Sequence, residues 1–220
     1  MEDTSKIGKR NIDSLNNAII PVEKKRVVNL GLITPVYNKS KRVRLKVDKM
    51  RENKCICLFR DAPEIFRYKI LRSKIQQCFA KKEGLNTIMV TSPNRGEGKT
   101  LTAINMALTF AKEFHQTVLL VDCDFKKQDI HKTMGFPGKY GLTDYFLDNT
   151  QLNDLIVWPG IQKMTLISGG KTVSDTAELL GSPRMESLVR EMKERYRDRY
   201  IFFDVAPLLN SADAIAFAPF

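Results

Sequence analysis

From residue 87 onward, short unbroken apolar runs alternate with longer stretches in which apolar residues recur every three or four positions. The runs are Thr87-Ile88-Met89-Val90-Thr91, Thr117-Val118-Leu119-Leu120-Val121, Lys163-Met164-Thr165-Leu166-Ile167 and Tyr200-Ile201-Phe202-Phe203. Runs of this length without polar alternation predict strands buried on both faces, as in a parallel sheet. Between the first two, Leu101, Ile104, Ala107, Leu108 and Ala111 form one apolar helical stripe. Ser182-Pro183 supplies an N-cap and a first-turn proline for a second helix, with Met185, Leu188, Val189 and Met192 facing inward. Strand and helix in alternation predict an α/β fold with a mainly parallel sheet flanked by helices.

Outside this region the pattern weakens. Ala62-Pro63-Glu64 opens a helical stretch with Ile65, Ile70, Leu71 and Ile75 on its apolar side, stopping near Gly84. Residues 1–60 hold only short apolar patches, Ala18-Ile19-Ile20, Val27-Val28 and Leu30-Gly31-Leu32-Ile33, between charges and Pro21 and Pro35. They read as an extended basic arm, leaving 61–220 as the folded domain. Ala212 to Phe217 begin a helical pattern that stops without a cap, so this domain reads as truncated at its C-terminal end.

Charge sharpens the division. The formal charge is +11, and residues 1–60 carry fifteen Lys and Arg against six Asp and Glu. Lys24-Lys25-Arg26 and the run from Lys39 to Lys46 suit an anionic membrane surface or an acidic partner. Nucleic acid is disfavoured, because few aromatics are interleaved for stacking. No apolar run has the length of a membrane span, and the polar, basic start lacks the apolar core of a signal peptide, so the expected location is cytoplasmic. Cys55, Cys57, Cys78 and Cys123 are too few and too irregular for a disulfide framework and read as reduced thiols. His115 and His131 stand apart from any metal-ligand cluster.

The sharpest chemical signal is Ser92-Pro93-Asn94-Arg95-Gly96-Glu97-Gly98-Lys99-Thr100, directly after a strand and directly before a helix. A Walker A phosphate loop requires that context. Backbone N–H groups of Asn94 through Leu101, freed by Gly96 and Gly98, can wrap a polyphosphate at the positive end of the helix. Lys99 would reach the β and γ phosphates and the Thr100 hydroxyl would sit on Mg²⁺. Pro93 occupies the position where the strict pattern has glycine, so the loop is a variant. Asp122-Cys123-Asp124 ends one apolar strand and Asp204 ends another, and ligands in open parallel sheets sit outside such ends. Hard carboxylate oxygens there suit Mg²⁺, with Thr100, Asp122, Asp124 and Asp204 as its candidate set.

Asp122-x-Asp124-x-Lys126 after Val118-Leu119-Leu120-Val121 resembles the second Walker motif of the bacterial tyrosine kinases that govern capsule and exopolysaccharide synthesis. Gly141-Leu142-Thr143-Asp144, Glu178-Leu179-Leu180 and Ser182-Pro183-Arg184-Met185 resemble further blocks of that family, in the same order, across residues 60–220. The resemblance implies a P-loop NTPase fold shared with MinD and ParA, and an ATP- and Mg²⁺-dependent autokinase acting on tyrosine. It assigns Lys99 to phosphate, Asp122 to the base that helps a tyrosine hydroxyl attack, and Asp124 and Asp204 to metal support. It also implies a membrane-embedded polysaccharide chain-length-determinant protein as activator, a place at the inner face of the plasma membrane, and a homo-oligomer. Three departures stand out: Lys126 replaces arginine, Ala206-Pro207 replaces a Pro-Pro pair, and Arg72 falls two residues late in a Glu-x-x-Arg-x-x-Arg assembly pattern begun by Glu64 and Arg67.

Two other readings use the same residues. A MinD/ParA-type ATPase switch would position cargo on membrane or DNA, but its signature lysine, five residues before the loop lysine, is replaced by Asn94 with Arg95 adjacent. A nucleotide-binding scaffold without turnover would keep the loop alone. The tyrosine cluster that the kinase family phosphorylates is not evident, since the six tyrosines are scattered, and it is expected beyond Phe220.

Overall fold

The computed structural model describes residues 35, 37, 40–59, 62–81, 84–195 and 198–220. Among them, six strands form one sheet in the order β1-β4-β5-β3-β6-β2. The strands are β1 (Lys41–Arg42), β2 (Thr87–Val90), β3 (Thr117–Cys123), β4 (Val157–Trp158), β5 (Met164–Ile167) and β6 (Arg199–Val205). All neighbouring pairs are parallel except β4 with β5. The four strands expected from apolar runs are β2, β3, β5 and β6; β1 and β4, two residues each, were not anticipated.

Side chains along β3 alternate between two cores, as strand geometry requires. Val118 and Leu120 join one, with Phe202 of β6 and the buried face of α3 (Lys99–Ala111). Leu119, Val121 and Cys123 join the other, with Ile201 and Phe203 of β6 and Met185, Leu188, Val189 and Met192 of α8 (Pro183–Arg195). The Ser182 hydroxyl accepts a hydrogen bond from Met185 N at 3.2 Å, which is the expected N-cap. Both faces of the central strands β3, β5 and β6 are therefore covered, while β1, β2 and β4 are partly or fully exposed. The remaining helices are α1 (Val47–Glu52), α2 (Ile65–Phe79), α4 (Ile130–Met134), α5 (Leu142–Leu147), α6 (Leu152–Leu155), α7 (Thr176–Leu180) and α9 (Asp213–Phe217).

Two expectations need correction. The segment read as an extended arm is folded over residues 40–59: β1 pairs with β4, and Met50, Cys55 and Cys57 are fully buried in the α3-side core. Asn105, also fully buried, ties this segment down, because its Oδ1 accepts Cys57 N at 2.9 Å and its Nδ2 donates to Lys54 O at 3.1 Å. The patches at 18–20, 27–28 and 30–33 and the cluster 24–26 lie outside the described residues. In α2, only part of the expected apolar side packs inward: Ile65 is buried, whereas Ile70 is 50% and Leu71 41% exposed. Arg72 is spent within the chain, pairing with Glu113 and donating to Thr109 O at 2.9 Å, so it clamps α2 to α3. Cys55, Cys57 and Cys123 are buried free thiols and Cys78 is an exposed one.

Candidate active site

The loop between β2 and α3 is fastened to the chain that leaves β6. Thr91 Oγ1 donates to Ala206 O at 2.8 Å, while Leu208 N donates to Ser92 O at 2.9 Å and Leu209 N to Pro93 O at 3.0 Å. Pro93 thus contributes its carbonyl to this stitch, where the strict pattern has glycine. Gly96 and Gly98 have φ of +82° and +91°, a region unfavourable to other residues, although neither Cβ position meets an atom within 4 Å. Backbone conformation, and not space, demands glycine there. Helix α3 starts at Lys99 without a side-chain cap, so its first N–H groups have no acceptor within the helix and carry the positive end of its dipole.

Lys99 stands at that end. Its Nζ lies 2.8 Å from Asp124 Oδ2, and 3.3 Å from both Asp204 Oδ1 and Thr100 Oγ1. Asp122 and Asp204 are register partners on β3 and β6, and both are fully buried. Burial, together with the like charge of Asp204, holds Asp122 well above the usual carboxylate range. Burial also raises Asp204, with Lys99 opposing the shift. For Lys99, burial alone would lower the pKa, but Asp204 and Asp124 outweigh it and the ammonium is held above its ordinary value. Asp204 Oδ2 is buried without a hydrogen-bond partner among the described residues.

Lys99, Thr100 and Asp124 border a cleft of about 230 Å³ at the carboxyl end of the sheet, while Asp122 and Asp204 are fully buried and not part of its lining. On the loop side it is lined by Arg95, Gly96, Gly98, Lys99, Thr100 and Leu101. Asp124, Lys126 and Ser211 are among the residues facing them. Asn94 and Glu97 do not line it. Asn94 donates from N and Nδ2 to the Glu97 carboxylate at 3.0 and 3.2 Å, so the pair braces the loop from outside. Asp122, expected to face the phosphates as a base, sits behind the cleft. Its Oδ1 accepts Asp124 N and its Oδ2 accepts Ile130 N, each at 3.2 Å, so it fixes the turn that presents Asp124. The cleft also takes in Asn53, Lys127, Asp129, Thr133 and Asn210, which were not anticipated. For Lys127, Asp129 and Asn210 a signal existed, since the residues following each strand's carboxyl end are where ligands bind in such sheets. Asn53 and Thr133 gave none.

No three carboxylate, histidine or cysteine side chains converge as a metal-binding group among the described residues. Mg²⁺ takes one or two carboxylates and fills the rest of its shell with water and phosphate oxygens, so it does not require such a group. The unpartnered Asp204 Oδ2, the Thr100 hydroxyl and Asp124 are the donors available for it.

Residues 85–218 match the family model described as AAA domain. The tyrosine-protein kinase YwqD of Bacillus subtilis (strain 168) is 30% identical over 148 residues, covering 67% of this chain and 61% of that protein. The tyrosine-protein kinase CpsD of Streptococcus agalactiae is 28% identical over 152 residues, covering 69% of this chain and 64% of that protein. The chain thus spans less than two thirds of the length of either relative. Among solved structures, the chimerical protein CapA2B2 superposes with a TM-score of 0.67 at 24% identity, over 87% of this chain and 78% of that one. The kinase domain of the Escherichia coli tyrosine kinase ETK gives 0.64 at 26% identity, over 70% and 59%. Since the matched span takes in the glycine loop, the Asp122-Cys123-Asp124 turn and Asp204 together, the chain belongs to the AAA domain family, alongside the bacterial tyrosine kinases that its motif order resembles.

Proposed function

We propose that this chain is the catalytic domain of an ATP- and Mg²⁺-dependent protein tyrosine autokinase that regulates capsule or exopolysaccharide synthesis and export. The observation that carries the reading is Lys99 held between Asp124 and Asp204 at the uncapped N-terminus of α3. An ammonium flanked by two carboxylates is poised for exchange: a triphosphate entering the cleft offers Lys99 stronger partners and releases Asp124. The backbone N–H groups of the loop and of the first turn of α3 receive the phosphate oxygens. Mg²⁺, when bound, neutralises charge on the β and γ phosphates.

The reaction is displacement at the γ phosphorus. A tyrosine oxygen forms the new P–O bond, the bond to the bridging oxygen breaks, and ADP departs. Asp124, the cleft carboxylate in contact with Lys99, is the group placed to take the phenolic proton once Lys99 has moved to phosphate. Asp122 keeps Asp124 in position through its backbone N–H. The protein's contribution is positioning and charge neutralisation. The proposed setting is the inner face of the plasma membrane, with a polysaccharide chain-length-determinant protein as activator and the basic residues 1–60 as the contact. Among the described residues no helix is long and apolar enough to cross a membrane.

Arg95 on the cleft wall favours a second reading, a MinD/ParA-type ATPase switch with the signature cation displaced by one residue. One assay separates the two. The protein is incubated with ATP, Mg²⁺ and a tyrosine-containing acceptor polymer, and phosphotyrosine is read by antibody. Labelling that disappears in Lys99→Met supports the kinase. ATP hydrolysis stimulated by DNA or lipid vesicles, with no phosphotyrosine formed, supports the switch and ends the kinase reading.

A further inference from the structure

Across the cleft from the glycine loop, Lys126 is held by a buried assembly that the phosphate loop does not need. Its Nζ donates to Ser211 Oγ at 2.8 Å and lies 3.6 Å from Asp213 Oδ1. Asp213 is fully buried at the start of α9; its Oδ1 accepts the Thr176 hydroxyl of α7 at 2.8 Å, and its Oδ2 is buried with no hydrogen-bond partner. Burying a carboxylate with one oxygen unsatisfied is costly unless a cation is kept near it. Lys126 is the cation the structure pairs with it.

Of the other cleft cations, Arg95 belongs to the glycine loop itself, and the two lysines are each paired with aspartate. Lys99 is engaged by two aspartates, and Lys127 is paired with Asp129 at 3.2 Å. Lys126 is 36% exposed at its side chain, lines the same cleft as Gly96, Gly98 and Lys99, and has three N–H donors. With one donor on Ser211 and one turned toward Asp213, a third remains for the cleft.

We propose that Lys126 is a second phosphate-binding cation, selective for the terminal phosphate of a nucleoside triphosphate, and that Asp213 is its positioning residue, acting with Ser211. The inference rests on the nucleotide reading above and adds a selectivity element to it. Lys99 and the loop hold the phosphates common to ATP and ADP, whereas Lys126 approaches from the opposite wall and contacts only the group that is transferred. Asp213 also couples that contact to α7 and α9, which meet around its carboxylate.

The test is titration calorimetry of ATP and of ADP, each with Mg²⁺, against the wild type, Lys126→Met, Lys126→Arg and Asp213→Asn. A lost charge-assisted hydrogen bond corresponds to about a tenfold change or more in affinity. Lys126→Met is expected to weaken ATP by that factor and to leave ADP unchanged, and Lys126→Arg to restore ATP binding. Asp213→Asn is expected to weaken ATP severalfold, with Thr176 still able to donate to the amide oxygen and the thermal transition retained. Equal weakening of ATP and ADP in Lys126→Met, or no change in either, overturns the proposal while wild-type binding keeps the nucleotide reading intact. A wild type that binds neither nucleotide overturns both.

Discussion

Asp122 and Asp204 face each other in register on neighbouring parallel strands, both fully buried and both on the side of the sheet where α3 begins. Two carboxylates so placed repel each other, and Lys99 is the ammonium that reaches Asp204 and offsets this. Burying such a pair costs stability. Asp204→Asn should therefore raise the unfolding free energy of the nucleotide-free protein, by about 1 kcal/mol, since an amide is cheaper to bury than a carboxylate with an unsatisfied oxygen. The same variant should lose phosphotyrosine formation by about a hundredfold or more. Urea denaturation and the acceptor assay read the two effects; a variant that is less stable and still active contradicts the relationship.

Asn105→Ala tests why residues 40–59 belong to the fold. The substitution strands Cys57 N and Lys54 O without their partner. Leaving the buried Cys57 N–H unsatisfied costs about 1–3 kcal/mol and the part-buried Lys54 carbonyl adds less, so a total loss of about 2 kcal/mol is expected. Limited proteolysis should find its first new cuts between residues 40 and 60. Cuts appearing first elsewhere would show that Asn105 is not the tie.

His131 gives a pH signature. Its ring edge rests against Phe136, its Nδ1 is buried without a hydrogen-bond partner, and burial lowers its pKa, helped by Lys132 and Lys49 and opposed by Asp129. With the folded value below the unfolded one, the unfolded chain binds more protons in the window between them. Stability from this residue is thus complete above the unfolded value of about 6.5 and is lost as pH falls through the lower, folded value. Denaturation curves between pH 5 and 8 should show His131→Gln losing less stability than the wild type on acidification. Parallel curves would contradict this.

Glycines 98 and 141 separate strain from space. A Cβ at Gly141 would lie 2.1 Å from Ser168 O and 2.3 Å from Gly170 N, both backbone atoms. Gly141→Ala should therefore cost about 3 kcal/mol or prevent folding. Gly98 has open space but φ of +91°, so Gly98→Ala should cost only about 1–2 kcal/mol while weakening ATP binding through loop geometry. Denaturation and calorimetry on both variants give the ranking, and a reversed order would contradict the distinction.

Much of this was legible in the chain. The strands β2, β3, β5 and β6 announced themselves as unbroken apolar runs, and the same alternation put the glycine loop between β2 and α3. Residues 40–59 did not, because Met50, Cys55 and Cys57 are buried from a charge-rich stretch with no period of either kind. Strands β1 and β4 are too short for any period to show. The positions taken within Asp122-Cys123-Asp124 were also hidden. Residues two apart share a strand face, but β3 ends at Cys123, so Asp124 leaves the alternation and turns to Lys99 while Asp122 stays behind it.

On this reading Lys99 gives up Asp124 and Asp204 for a triphosphate seated on the first turn of α3. A crystal structure with Mg²⁺ and a non-hydrolysable ATP analogue measures this directly. Phosphate oxygens are expected on the N–H groups of Gly98 to Leu101, with Lys99 Nζ within hydrogen-bonding distance of the β or γ phosphate and the metal beside Thr100. A nucleotide bound elsewhere, or Lys99 still paired with both aspartates beside a bound triphosphate, would contradict it.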